Sequence, residues 1–219
     1  MEKRAFKDHV YHAIAGVAKA FSHANRLEIL DLLANGEKSV EQIAEQTAIS
    51  VANASQHLQV LKGARLVRAR REGHFVYYGL NGRAAYAAWK AVRDLALEEE
   101  PTVQLALQRY RGAMGSPPSR TLADLPGGGE ALLLDVRPAA EYAAGQLENA
   151  RSIPLEELPR RMGELPRDKT IIAYCRGPFC TFADEAVQLL RAHGFEAVRL
   201  EEGYLDFALK NEQAWSTSN

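Results

Sequence analysis

The stretch "SVEQIAEQTAISVANASQHLQVLKGARLVRARREGHFVYYGL", residues 39–80, decides the fold of the first half of the chain. Ser39 followed by Gln42 has the spacing of a capping box, and Val40, Ile43 and Ala44 give a short amphipathic helix behind it. Thr47-Ala-Ile-Ser50 interrupts that pattern as a turn, with Ser50 placed to cap a second helix. In that helix Val51, Ala54, Leu58 and Leu61 are expected to face inward. Ala52, Asn53, Ser55, Gln56, Gln59 and Lys62 then face outward, with His57 on the flank.

An outward surface of small, amide and hydroxyl side chains suits a helix that enters the major groove of double-stranded DNA. Small residues let the backbone approach, and Gln or Asn can bond base edges. Ser50 and the outward set are therefore the candidate DNA-reading residues. Two strands, 66–69 and 75–80, follow around the polar tip Arg70-Arg-Glu-Gly-His74. With Arg68, Arg70, Arg71 and His74, this hairpin would lie on phosphates or in a minor groove. The order of capped helix, turn, polar helix and basic hairpin predicts a mainly-α winged helix-turn-helix.

Around this stretch, Phe6, Val10, Ile14, Val17 and Phe21 form one apolar stripe on a first helix. A helix over about 24–35 carries Leu27, Leu30 and Leu33 and stops at Gly36. Charge is uneven despite a formal net of −1. Residues 1–100 carry net +2 and the remainder net −3, and within 50–83 six basic residues face one acidic residue. That local excess fits a polyanionic partner. No apolar run approaches a membrane span, the first residues have no signal-peptide core, and two cysteines make no disulfide framework, so a cytoplasmic protein is expected.

The segments "ANRLEILDLL", "SVEQIAEQTAIS" and "SQHLQVLKGARLVRARREGHFVYYGL" resemble the ArsR family of small dimeric bacterial repressors, over roughly residues 5–100. The resemblance implies an inverted-repeat DNA operator and a homodimer built on the first and last helices. The last would be 83–98, with Tyr86, Trp89, Val92 and Leu95 on one stripe. Many members bind metal through cysteines in the helix before the recognition helix, and this chain has Val40-Glu-Gln-Ile43 there. His9 and His12 can share a helix face but are two ligands only, so no metal site is assigned.

Downstream of "GAMGSPPSR", 112–120, the pattern changes to short apolar strands alternating with helices. Residues 131–136, 170–174 and 197–200 read as strands of a parallel sheet, and 181–193 as a helix ended by Gly194. The expected organisation is a DNA-binding and dimerisation domain over 1–100, a helical extension and linker over 101–118, and an α/β domain with a parallel central sheet over 119–219. Both cysteines of the chain lie in "AYCRGPFCTFADEAVQLL", 173–190, between a strand and a helix.

That loop, with Asp135-Val-Arg137, Glu141-Tyr142, Gly145, Asn149-Ala150, Ile153-Pro154 and Leu200-Glu-Glu-Gly203, resembles a rhodanese domain over about 119–212. The resemblance makes Cys175 the nucleophile that carries a transient sulfane sulfur, with Arg176, Gly177, Pro178, Phe179, Cys180 and Thr181 forming the loop around it. A thiolate facing a helix N-terminus is stabilised by the dipole and by backbone N–H groups, which raises its reactive fraction at neutral pH. Arg176 adds positive charge there, and Gly177 lets the loop curl inward. Rhodanese loops commonly carry Gly where Pro178 stands and Arg, Thr or Ser where Cys180 stands, and Gln146 replaces a common His. The related phosphatases need a longer loop closed by Arg, and Thr181 occupies that place.

The expected function is a dimeric regulator whose rhodanese domain senses reactive sulfur or oxidant through Cys175 with Cys180. The alternatives are a thiosulfate or persulfide sulfurtransferase with an autoregulatory DNA-binding domain and, ranked last, a metal-responsive repressor. A small sulfur donor or thiol acceptor is the implied partner, and no resident cofactor is expected.

Overall fold

The structure is a computed structural model that describes residues 2–125 and 130–210. The chain divides into two compact units between Asp94 and Leu95. The first opens with α1 (Lys3–Lys19) and α2 (Ala24–Leu33), followed by β1 (Lys38–Ser39) and α3 (Val40–Gln46). Ser39 caps α3 as expected: its hydroxyl accepts from the Gln42 amide, and its own amide donates to the Gln42 side chain at 2.9 Å. Ala48 takes a left-handed φ of 53° in the turn, and the Ser50 hydroxyl then accepts from the Asn53 amide at 3.2 Å to start α4 (Val51–Gly63).

The hairpin β2 (Val67–Glu72) and β3 (Phe75–Leu80) pairs antiparallel with Glu72 opposite Phe75, leaving Gly73 and His74 as its turn. Gly73 sits at φ 59°, a conformation that favours glycine. β1 adds to the other side of β3, giving the order β1-β3-β2. Ile29, Leu30, Ile43, Leu58 and Leu61 are fully buried and hold α2, α3 and α4 together. α5 (Gly82–Glu99) closes the element order of this half. Its expected single stripe divides: Tyr86 and Trp89 are core, and Trp89 donates its indole N–H to Asp31, whereas Val92 and Leu95 are exposed.

The second unit contains α6 (Pro101–Ala113), with Pro101 at the first helical position and the Glu100 carboxylate accepting from the Thr102 amide. Then come β4 (Ser119–Arg120), β5 (Ala131–Asp135), α7 (Ala139–Ala144), β6 (Arg151–Ser152), α8 (Leu158–Arg161), β7 (Thr170–Tyr174), α9 (Phe182–Ala192), β8 (Ala197–Leu200) and α10 (Tyr204–Lys210). The five strands are all parallel in the order β4-β8-β7-β5-β6. β7 is central and almost wholly buried, which explains its uninterrupted apolar run. The chain leaves β5 for β6 on one side and returns to β7 on the other, so the strand order reverses at the β5/β7 pair. In open α/β sheets that switch is where a site forms, beyond the carboxyl ends of the strands.

Candidate functional site

Two constellations stand out, one in each unit. In the first, Ala52, Gln56, Gln59 and Lys62 are exposed on α4, and Asn53 and Ser55 are half-buried. Gln59 is turned toward the hairpin, donating from its amide to the Tyr78 hydroxyl at 3.3 Å. Two expectations need correction. Val51 was expected inward but is 48% exposed, because it is the first residue of α4 and has no turn before it to pack beneath. His57 was expected on the outward flank but is only 8% exposed. Its ring lies 4.4 Å from that of His23 and its Nε2 is 3.4 Å from the Asn25 side chain, so α2 covers it.

Burial, then the neighbouring His23 and Arg26, push the His57 pKa below its usual value. The unfolded chain takes up this proton near pH 6.5, whereas the folded chain does so only at lower pH. The unfolded state therefore binds more protons as the pH falls, and the stability that neutral His57 contributes is lost from about pH 7 downward. His57→Gln is expected to flatten that acid-side decline. Urea denaturation on either side of the imidazole range checks it; an unchanged pH slope would count against the assignment.

The basic hairpin is less positive than its sequence suggests. Arg68 and Arg70 both reach Glu37, at 3.6 and 3.1 Å, and Arg70 also pairs with Glu72 at 2.7 Å while lying over the Tyr77 ring. Glu37 sits just before β1, outside the basic stretch 50–83. Arg71 and His74 remain exposed, with the Arg71 guanidinium donating to the Gly73 carbonyl at 3.3 Å.

In the second unit Cys175 immediately follows β7 and is 1% exposed, part of the core that underlies the sheet. Cys180 lies two residues before α9 and is half-buried. The two are joined as a disulfide, with Cα atoms 6.3 Å apart, within ordinary bridging distance. Gly177 has φ 139°, and its carbonyl accepts from the Cys180 amide at 3.2 Å, which curls the loop between the cysteines. Pro178 is half-buried, Phe179 is exposed, and Thr181 occupies the N-cap position of α9 without a side-chain cap bond.

Arg176 does not stand as an unpaired charge beside the sulfur. Its guanidinium makes two bonds, 2.7 and 2.9 Å, to the carboxylate of Glu141 on α7 and lies over the Phe182 ring. The loop is also held by Arg111, which shares Glu201 with Arg199; sequence reasoning singled out neither arginine. Arg111 on α6 donates to the Pro178 carbonyl at 3.1 Å and reaches Glu201 at 3.4 Å. Arg199, fully buried, pairs with Asp184 at 3.1 Å and Glu201 at 2.7 Å. Burial raises the Asp184 pKa and lowers that of Arg199, each against the pull of its partners.

Gly203 touches the loop directly. A Cβ there would stand 2.3 Å from the Arg176 carbonyl oxygen and 3.0 Å from the Gly177 nitrogen, both backbone atoms that cannot swing aside. Gly203→Ala is expected to destabilise by about 1–3 kcal/mol, as overpacking of a tight contact does, and to displace the cysteine loop. Thermal unfolding together with the rate of bridge formation tests both parts. A variant with wild-type values for both would remove Gly203 from this role.

A compact helical unit whose exposed, capped helix precedes a basic hairpin is a winged helix-turn-helix. A parallel sheet with a cysteine loop between its central strand and a helix is a rhodanese-type domain. The model of the bacterial regulatory protein arsR family matches residues 23–69, and the rhodanese-like domain model matches residues 119–210. The chain is 42% identical over 200 residues to the HTH-type transcriptional regulator Rv0324 of Mycobacterium tuberculosis, covering 90% of this chain and 87% of that protein. It is 31% identical over 90 residues to a sulfurtransferase of Allochromatium vinosum, covering 41% of this chain and 80% of the other. Among solved structures, the homodimeric winged helix-turn-helix DNA-binding domain of Mb0332 from Mycobacterium bovis matches at 40% identity and a TM-score of 0.43, covering 46% of this chain and 91% of that one. The chain belongs to the arsR family of bacterial regulatory proteins, DNA-binding transcriptional regulators, and carries a rhodanese-like domain as its second half. Among the described residues, no helix is long and apolar enough to cross a membrane.

Proposed function

We propose that the protein is a dimeric transcriptional regulator that binds an inverted-repeat operator and whose rhodanese-like domain senses reactive sulfur through Cys175 and Cys180. The observation that supports this most is the pair itself, a buried cysteine at the end of the central strand within bridging distance of a second cysteine on the same loop. In the reduced protein a persulfide donor transfers its outer sulfur to the Cys175 thiolate and leaves as a thiolate. Cys180, as thiolate, then attacks the inner sulfur of the Cys175 persulfide. The new disulfide forms, the sulfur–sulfur bond of the persulfide breaks, and hydrosulfide leaves. Attack within one loop is favoured by high effective concentration.

Dimerisation is supported by α1, none of whose residues is buried and whose Phe6, Tyr11, Ile14 and Val17 are exposed. Such an apolar face is expected to be covered by a second copy. Base reading falls to Ala52, Asn53, Ser55, Gln56 and Gln59, and phosphate contact to Ser50, Lys62, Arg68, Arg70, Arg71 and His74. The experiment is DNA affinity of the reduced protein against the same protein treated with an organic persulfide, using operator selected from random duplexes. A changed affinity supports the reading, and equal affinity in the wild type overturns sensing.

The salt dependence adds a finer expectation. Arg71→Ala should weaken all sequences alike and lower the salt slope by about one ion. Arg70→Ala should do less, because Arg70 must give up Glu37 and Glu72 to reach a phosphate. Titrations at several salt concentrations measure both, and equal losses would contradict the pairing argument. The second reading, an autoregulated sulfurtransferase, has in its favour the strand-end position of Cys175. Sustained turnover of thiosulfate or a persulfide separates it from the first.

A further inference from the structure

We propose that Glu37 is a built-in competitor for DNA phosphates: its carboxylate occupies Arg68 and Arg70 on the outer face of the hairpin and so lowers the sequence-independent part of DNA affinity. This rests on the reading of the hairpin as a phosphate-contacting wing, and it names a residue outside the hairpin that tunes that contact. Each carboxylate oxygen takes one arginine. Oε1 lies 3.6 Å from the Arg68 Nε, and Oε2 accepts from the Arg70 Nε at 3.1 Å. Both arginine side chains stay about half exposed, so a phosphate can reach them from solvent.

The sheet is built to let Glu37 reach them. Lys38 pairs with Tyr78 and Arg68 with Gly79, so continuing the β1–β3 register by one residue places Glu37 beside Gly79. Glu37, Gly79 and Arg68 then follow one row across the order β1-β3-β2. Val67 and Tyr78 are buried on the inner face, and alternation puts Arg68, Arg70, Tyr77 and Gly79 on the outer one. The Glu37 side chain crosses that face over Gly79, where a Cβ would stand 3.0 Å from its Cγ. The missing side chain at 79 is what leaves the path open.

The contact attenuates binding without blocking it. A guanidinium binds phosphate through the same N–H groups that hold a carboxylate, so an arginine that turns to DNA first gives up Glu37. An exposed ion pair is worth up to about a fivefold factor in an equilibrium constant, so DNA wins the exchange at a reduced affinity. Phosphates carry no sequence information, so the reduction falls equally on operator and random DNA. Arg70 keeps Glu72 as a second partner, which makes its release by loss of Glu37 only partial.

The test measures affinity of the full chain, with no sulfur donor present, for random duplex and for operator selected from random duplexes. Several salt concentrations are used. Glu37→Gln keeps the size of the side chain and removes its charge. It should raise affinity for both duplexes by about three- to tenfold and steepen the salt slope by about one ion per protomer. Glu37→Asp keeps the charge but withdraws it from Arg68 by one methylene, and should give part of the same rise. In an Arg68→Ala/Arg70→Ala background, Glu37→Gln should change affinity by less than about twofold, the residue of a screened charge. A Glu37→Gln affinity at or below that of the wild type overturns the proposal, because the carboxylate would then be positioning the arginines for DNA. So does a gain that survives loss of both arginines, which is general charge repulsion, or a gain confined to operator, which is base readout. The wing reading is tested by the Arg68→Ala/Arg70→Ala protein itself. If that protein binds as tightly as the wild type, the wing reading fails and takes this proposal with it. If it binds more weakly while Glu37→Gln gains nothing, this proposal fails alone.

Discussion

Replacing Arg137 by Ala is expected to destabilise the rhodanese-like unit by about 3–5 kcal/mol, the cost of leaving one member of a buried ion pair alone. Arg137 and Asp135 are 2% and 0% exposed, and the guanidinium binds both carboxylate oxygens at 2.7–3.1 Å. Burial works against the charged guanidinium, yet the hydrogen bonds and charge of Asp135 outweigh it and hold the pKa above its ordinary value. The same side chain donates to the Gly145 carbonyl at 2.7 Å and lies near the rings of Tyr174 and Tyr204. Removing it therefore opens the carboxyl ends of β5 and β7 together. Urea denaturation should show the loss, and Asp135→Ala in the same chain should restore part of it, since the orphaned carboxylate is then gone. A single-variant cost below about 1 kcal/mol would mean that water replaces the guanidinium, and the pair would not be the clamp described.

Most of the framework was readable in advance because it rests on local chemistry. The bounds of β7 and β8 followed from apolar runs at the centre of a parallel sheet, and Ser39 and Ser50 announced the starts of α3 and α4. What escaped depends on partners distant in sequence. His57 looked outward on the helix because nothing near it shows that α2 brings His23 and Asn25 against it. Arg176 looked like a charge for the sulfur until Glu141, 35 positions earlier, proved to hold it. The wing lost part of its charge to Glu37, from outside the basic stretch 50–83. Arg111, 67 positions before Pro178, holds the loop carbonyl, and no pattern in α6 points to it. β4 and β6 are two residues each, too short to carry any periodic signal.

The cysteines carry the other large effect. Cys175→Ser is expected to abolish both sulfur loading and the response of DNA binding to a persulfide donor, because no other residue can take the outer sulfur at this position. Cys180 alone cannot substitute: it lies two residues before α9, beside the exposed Phe179, not at the end of the central strand. Cys180→Ser should behave differently, since Cys175 can still accept sulfur but cannot close the bridge. Intact-protein mass spectrometry separates the cases: in donor-treated protein the wild type closes its bridge, Cys180→Ser gains one sulfur atom, and Cys175→Ser gains none at position 175. On DNA, Cys175→Ser should hold the affinity of the reduced wild type with or without donor. If Cys180→Ser nonetheless responds as the wild type does, the persulfide itself is the signal and the bridge only protects it. If Cys175→Ser still responds, the sensor lies elsewhere in the chain, and the loop is left with sulfur transfer alone.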